Sequence, residues 1–181
     1  MQQRKLKLTA PSTYQEALAN LFSKEVFYRS ASGNMYKTRT QNNVKDEKLI
    51  SDIYLGKMAE FAVWNFLYRT KKKATFPDVN IYESYRKNYD ADIMIGETKV
   101  HVKSCAEGNY GNSWVFRPSD PIVFNPDEND FVALVVLTKE SIFYAYFLSA
   151  IELLGMYKPP RNPDYPMMVI YEKDLTTSSS S

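Results

Sequence analysis

The sequence predicts a single α/β or α+β domain built on a mixed β-sheet. This prediction follows from the order of the helix and strand patterns along the chain: a long helical pattern is followed by a hairpin, further strands, a short helix and a last strand. Residues 131–137, FVALVVL, form a continuous apolar run typical of a central strand covered on both faces. With 181 residues, 44% of them hydrophobic, the chain is long enough to bury a sizeable core.

Two helices are predicted in the N-terminal part of the chain. Residues 13–24 place apolar side chains at helical spacing after a Pro-Ser cap signal. Residues 45–70 carry a broad apolar stripe that contains one carboxylate, Glu60, which is costly to bury without a partner or a cation. Gly56 within this stripe weakens a helix and indicates a close approach or a break. Residues 30–43 are polar and turn-rich, so we expect a mobile loop there.

A basic run, Arg69 and the three lysines at positions 71–73, ends the second predicted helix. Cations are favourable at a helix C-terminus because they complement the helix dipole. The same charges also suit contact with phosphate groups. The sequence leaves both interpretations open.

From residue 74 onwards the apolar pattern changes to period two. Residues 90–103 have the alternation of a β-hairpin around a turn at Gly96. Residues 114–116 and 142–148 predict further strands, and residues 118–130 predict a loop. A short helix closed by Gly155 and an edge strand follow, over residues 149–154 and 167–171.

We expect one domain, residues 1–177, with three parts and a tail. The parts are an N-terminal helix with a basic loop (1–45), a core (46–155) and a C-terminal extension (156–177). The serine run at residues 178–181 predicts a disordered tail.

Composition excludes several classes of protein. A net charge of +2 excludes a globally basic nucleic-acid coat, although a local basic patch remains compatible with it. The single cysteine, Cys105, excludes an internal disulfide framework, and the single histidine, His101, leaves little material for Ser-His-Asp chemistry. The N-terminus lacks the apolar segment of a secretory signal, and no apolar run approaches membrane-spanning length. We therefore expect a cytoplasmic protein with no membrane partner.

The hairpin is where chemistry is predicted. Side chains alternate on a strand, so His101 and Lys103 share one face of the return strand and the two flanking valines share the other. If those valines pack with the isoleucines of the first strand, Asp92 joins His101 and Lys103 on the opposite face. Carboxylate oxygens suit a hard cation such as Mg²⁺, and a nearby lysine can hold a water or stabilise an oxyanion.

Residues 89–105, YDADIMIGETKVHVKSC, resemble the core hairpin of the PD-(D/E)xK nuclease superfamily. In that hairpin an acidic residue opens one strand and a (D/E)-x-K triplet lies on the next. Asp92 matches the acid and Lys103 matches the lysine. Residues 55–63, LGKMAEFAV, are similar to the first core helix of many members, in which a glutamate, here Glu60, often points at the metal site.

The resemblance covers about residues 50–155 and implies a restriction-endonuclease-like αβββαβ core with helices flanking the mixed sheet. It implies a Mg²⁺-dependent DNA endonuclease, with Mn²⁺ as a substitute, that works as a homodimer if it makes double-strand cuts. Asp92, Glu60 and His101 would hold the metal, and Lys103 would position the attacking water. A nuclease also needs contacts to DNA, and two loops supply the candidates: Lys37, Arg39, Tyr110, Asn112, Ser113 and Arg117.

The chain departs from the family pattern at His101, which stands where the triplet has Asp or Glu. Imidazole can ligate a divalent metal but carries no negative charge when neutral. Glu60 or Asp90 would restore the missing charge, whereas the triplet that starts at Glu97 follows Asp92 too closely to lie on a second strand. The rival hypothesis is a catalytically inactive nucleic-acid-binding or interaction domain on the same fold. A further alternative is an unrelated α/β domain in which the hairpin match is chance.

Overall fold

The computed structural model describes residues 3–33, 46–81, 91–108, 111–156 and 167–176. Within these ranges the strands are β1 (Leu6–Lys7), β2 (Ile93–Ile95), β3 (Thr98–Ala106), β4 (Ser113–Phe116), β5 (Phe131–Leu137), β6 (Phe143–Ser149) and β7 (Met168–Tyr171). The helices are α1 (Thr13–Gly33), α2 (Asp46–Arg69), α3 (Pro121–Phe124), α4 (Ala150–Leu154) and α5 (Glu172–Thr176).

A five-stranded mixed sheet in the order β1-β6-β5-β3-β2 forms the centre of the fold. β3 and β5 are parallel, and the other neighbouring pairs are antiparallel. β4 and β7 form a separate two-stranded antiparallel sheet. The predicted mixed α/β architecture with helices flanking the sheet is confirmed.

Both faces of the central sheet are covered, and this explains the apolar run of β5. Ala133 and Val135 face the core cluster that contains α2, while Leu134 faces a second cluster that includes Trp114 and Leu153 from β4 and α4. All five of these side chains are almost completely buried. A strand covered on both faces has no solvent side, so it shows no polar alternation.

Two predicted loops are partly helical. α1 continues to Gly33, beyond its predicted end at residue 24, so residues 30–33 are helix and not loop. α3 interrupts the predicted loop over residues 118–130. Its first residue is Pro121, and proline suits the first helical position because the N–H that it lacks would have no helical acceptor there. Proline stands on both sides of this single turn, at Pro118 and Pro126, and asparagine follows it at Asn125, so the local composition resembles that of a loop.

α2 runs without a break through Gly56, so the predicted break is wrong. Nothing lies within 4 Å of the position that a Cβ would take at Gly56, so the alternative of a close approach is wrong as well. Packing of the apolar face of α2 on the sheet outweighs the low helix propensity of one glycine. No helix of the described residues is long and apolar enough to cross a membrane.

α2 ends in a Schellman motif whose left-handed residue is Lys71. Lys72 N donates to Leu67 O at 3.1 Å and Lys71 N donates to Tyr68 O at 3.0 Å, with a φ of 60° at Lys71. A left-handed conformation costs a residue with a side chain roughly 1 kcal/mol more than it costs glycine. We therefore expect Lys71→Gly to raise the free energy of unfolding by about 1 kcal/mol, measured by urea denaturation.

Lys72→Gly is the control for this prediction, because Lys72 follows directly in the chain and has no positive φ. It should leave the free energy of unfolding unchanged or lower it. A stability of Lys71→Gly at or below that of the unmodified protein would contradict the proposed cost of the left-handed lysine.

Candidate active site

The β2–β3 hairpin places three of the predicted site residues around one cleft. Ile93 pairs with Val100, and both pack in the core cluster on the α2 side of the sheet, so the predicted isoleucine–valine packing is confirmed. The opposite face of the hairpin opens into a cleft of about 420 Å³. The residues that line it are Asp92, His101, Val102, Lys103, Arg117, Ser119, Asp120, Pro121 and Ile122.

Asp92 precedes β2 directly and is fixed by the backbone of β3. Its Oδ2 accepts a hydrogen bond from Val102 N at 2.7 Å. The hairpin therefore holds this half-buried carboxylate beside the strand that carries His101 and Lys103.

Lys103 is held in the cleft by Asp120. The Lys103 Nζ lies 2.6 Å from Asp120 Oδ2, and the same oxygen accepts a hydrogen bond from Arg117 N at 2.9 Å. The ammonium also lies 5.3 Å from the ring centre of Phe116. Asp120 thus ties the strand lysine to the turn that precedes α3.

Asp120 is a residue of the cleft that sequence reasoning missed, because the composition of residues 118–130 predicts a loop. The signal that could have found it is local, since Asp120 stands directly before Pro121, a pair of residue types typical of a helix start. Nothing in the sequence, however, shows that Asp120 meets Lys103.

His101 is buried and its Nε2 has no hydrogen-bond partner among the described residues. Burial lowers the pKa of the imidazole, and Lys103 and Lys99 lower it further, against the opposing effect of Asp92 and Asp130. The ring is therefore neutral at neutral pH. A neutral imidazole is the form that ligates metals.

The donor set for a divalent cation is small. Of the two carboxylates in the cleft, Asp120 is held by Lys103. This leaves Asp92, as a carboxylate, and His101, through an Nε2 that has no partner among the described residues, as the side chains that fit the role. In the part of the chain that the structure describes, no group of three His, Cys, Asp or Glu side chains is arranged to hold a metal ion. Asp90, the alternative ligand, lies outside the described residues.

Glu60 is not among the residues that line the cleft. It lies on α2, and its Oε2 is 2.5 Å from the Nζ of Lys57, one turn earlier on the same helix. Lys57 is 5% exposed and also donates to the backbone oxygen of Asp78 at 2.7 Å. α2 covers the face of the sheet opposite to His101 and Lys103, so the structure does not bring Glu60 together with them.

The predicted DNA contacts are placed in different surroundings. Arg117 is exposed and lines the cleft. Asn112 is 8% exposed. Its side-chain nitrogen donates a hydrogen bond to Glu172 Oε2 at 2.5 Å, and its side-chain oxygen accepts one from Gly108 N at 3.1 Å. Ser113 opens β4 and pairs with the backbone of β7. Lys37, Arg39 and Tyr110 lie outside the described residues.

Glu172 is the centre of a polar network that the sequence did not reveal. Its carboxylate accepts hydrogen bonds from Lys5 at 2.7 Å, from the Tyr146 hydroxyl at 2.7 Å and from Asn112 at 2.5 Å. The partners come from segments far apart in the chain, so no local pattern predicts their meeting. The network links the N-terminal segment, β6, the start of β4 and α5.

Stability should fall in acid because of this network. Burial raises the pKa of Glu172, but the hydrogen bonds from Lys5, Tyr146 and Asn112 together bring it below its ordinary value of 4.5. The unfolded chain therefore binds this proton at a higher pH than the folded chain does. The stabilisation is fully present above about pH 4.5 and is lost as the pH falls below this value.

We expect Glu172→Gln to lose less stability than the unmodified protein over this acid range, in urea denaturation from neutral pH down to about 3. Glu140→Gln, in an exposed turn, is the control and should follow the unmodified curve. Parallel pH profiles for the unmodified protein and Glu172→Gln would show that this carboxylate does not couple folding to pH.

Comparison with known proteins adds no assignment, since no protein-family model matches the chain and no curated protein matches it.

Proposed function

We propose that this chain is a metal-dependent DNA endonuclease that hydrolyses phosphodiester bonds in the cleft. The supporting observation is that Asp92, directly before β2, lines the same cleft as His101 and Lys103 of β3. This is the layout that the PD-(D/E)xK resemblance implies. We propose the restriction-endonuclease-like core as the finer description of the fold, with β2 and β3 as its catalytic hairpin.

Lys103 has the central role in the proposed reaction. Its ammonium is held by Asp120 and its side chain is 30% exposed, so it can reach a phosphate that enters the cleft. There it would orient the attacking water and stabilise the charge that develops on the phosphate oxygens. The water oxygen forms the new bond to phosphorus as the bond to the leaving oxygen breaks. Arg117, at the rim, suits contact with a non-bridging phosphate oxygen.

Asp92 and His101 would hold Mg²⁺ or Mn²⁺ in this proposal. When bound, such an ion supplies Lewis-acid stabilisation of the phosphoryl oxygens and lowers the pKa of a water. The hydrogen bond from Val102 N fixes the orientation of the Asp92 carboxylate. Burial keeps His101 neutral, and its Nε2 has no partner in the described part of the chain. The proposed enzyme works as a homodimer when it makes double-strand cuts, because one cleft acts on one strand at a time.

The second candidate is a catalytically inactive nucleic-acid-binding or interaction domain. The presence of His101 where the family carries an acid favours it, because the cleft then has one metal-binding carboxylate too few. Incubation of plasmid and single-stranded circular DNA with Mg²⁺ or Mn²⁺ separates the two candidates. The nuclease proposal expects cleavage that requires the cation. Cleavage by His101→Glu alone would identify an inactive relative with an intact scaffold.

A further inference from the structure

We propose that the C-terminal end of α2 is a second contact surface for nucleic acid, which binds an unpaired stretch of the strand. This basic–aromatic surface consists of Trp64, Tyr68, Arg69 and the lysines at positions 71–73. The inference rests on the proposed function in that the partner is nucleic acid, but it requires no cleavage.

The surface carries positive charge that the described residues do not neutralise. Arg69 and the three lysines are exposed, and none of them forms an ion pair with a described residue. Other cations of the fold do so, among them Lys5, Lys57 and Lys103. Four positive charges within five positions, without an ion-pair partner among the described residues and on a chain of net charge +2, form a local site for a polyanion.

An aromatic platform lies beside these charges. The rings of Trp64 and Tyr68 stack with centroids 5.0 Å apart and planes 20° apart, and Tyr68 is 64% exposed. Trp64 is fixed from behind, because its indole N–H donates to Ala74 O at 3.3 Å and its ring packs on the edge of Phe76 at 5.1 Å. A rigid, exposed aromatic next to cations suits an unpaired base stacked beside its phosphate.

Complementing the helix dipole does not require this arrangement. Arg69 is the basic residue in the last turn of α2 and complements the dipole, and the effect fades beyond that turn. Lys71 lies past the helix end, in the left-handed position that glycine occupies at lower cost. A lysine at this position adds charge to the surface at the expense of stability, which is consistent with a role in binding.

The surface is tied to the strand that leads from the cleft. Ala74 bridges Ile95 in antiparallel pairing, and Thr75 N donates to Met94 O at 2.8 Å. Ile95 lies three residues along the hairpin from Asp92, or about 10 Å at the rise of a β-strand. β2 is the edge strand of the sheet, with the cleft on one face and α2 on the other, so a nucleic-acid strand held at the cleft can reach the basic–aromatic surface by passing around β2.

The test is a fluorescence titration of the full chain with a single-stranded oligonucleotide, in EDTA, at several salt concentrations. Trp114 is 2% exposed, so quenching reports on Trp64, which lies in the surface itself. We compare the triple variant Lys71→Gln/Lys72→Gln/Lys73→Gln with the control Arg4→Gln/Lys7→Gln/Lys24→Gln. The control removes the same charge from three exposed residues elsewhere.

We expect the triple variant to reduce the slope of log affinity against log salt by about 2, because each lysine that no longer neutralises a phosphate lowers the slope by about 0.7. The control should keep the slope. Tyr68→Ala should weaken single-strand binding by roughly 5-fold to 160-fold, and Tyr68→Phe should restore it because it keeps the ring. A duplex should bind without sensitivity to Tyr68→Ala.

Equal slopes for the triple variant and the control, or no quenching of Trp64, would overturn the inference. So would binding of vesicles with anionic lipid in place of the oligonucleotide. If the protein cleaves DNA and the triple variant binds as well as the unmodified protein, the binding role of this surface is refuted and the proposed function still stands. If the protein binds nucleic acid through this surface but never cleaves it, the binding role of the surface is supported and the nuclease proposal is refuted.

Discussion

Asp92→Asn and Lys103→Met are each expected to lower the rate of phosphodiester cleavage by at least about 100-fold. Asp92→Asn removes the carboxylate of the cleft that is not held by Lys103, while its remaining oxygen can still accept from Val102 N. Lys103→Met keeps the length of the side chain and removes the ammonium that Asp120 holds in the cleft. Plasmid cleavage rates with Mg²⁺, measured alongside thermal unfolding, test both losses.

Lys99→Met is the matched control. Lys99 lies on β3 and shares the face of His101 and Lys103, but it does not line the cleft. Its cleavage rate should stay close to that of the unmodified protein. Retained cleavage in Lys103→Met, or an equal loss in Lys99→Met, would contradict the role assigned to the cleft.

His101→Glu is expected to make folding depend on a divalent cation. Residue 101 is 6% exposed and lies beside Asp92 and Asp130, so a new carboxylate adds repulsion in a buried place. Without a cation we expect the free energy of unfolding to fall by about 1–3 kcal/mol. A cation that binds only the folded state should recover part of this loss by mass action.

The neutral variant His101→Gln is the control, since it adds no charge. Its melting temperature should rise with Mg²⁺ or Mn²⁺ no more than that of the unmodified protein, whereas that of His101→Glu should rise further. An equal effect of the cation on both variants would mean that position 101 does not face a metal site.

The parts of the fold that the sequence predicts well are those with local patterns. The hairpin is visible because its alternation and its turn lie within one short segment, and β5 is visible because a strand covered on both faces is apolar throughout. The sequence also predicts β4 and β7 as strands, but their pairing joins segments about fifty residues apart in the chain, which no local pattern encodes.

The candidate site is predictable to the same extent. The meeting of Asp92, His101 and Lys103 follows from strand alternation and one turn. Asp120 arrives from another element, and its contact with Lys103 is tertiary. The ion pair of Glu60, by contrast, is local. Its partner is Lys57, three residues earlier on the same helix, so this pairing could have been inferred from helical spacing.

The most direct test of the proposed nuclease is cleavage of plasmid and single-stranded circular DNA by the unmodified chain, with Mg²⁺, with Mn²⁺ and with EDTA. We expect nicked or linear products that form only with a divalent cation and that disappear in Asp92→Asn. No cleavage with either cation, together with no shift of the melting temperature by Mg²⁺ or Mn²⁺, would contradict the nuclease and favour a binding domain.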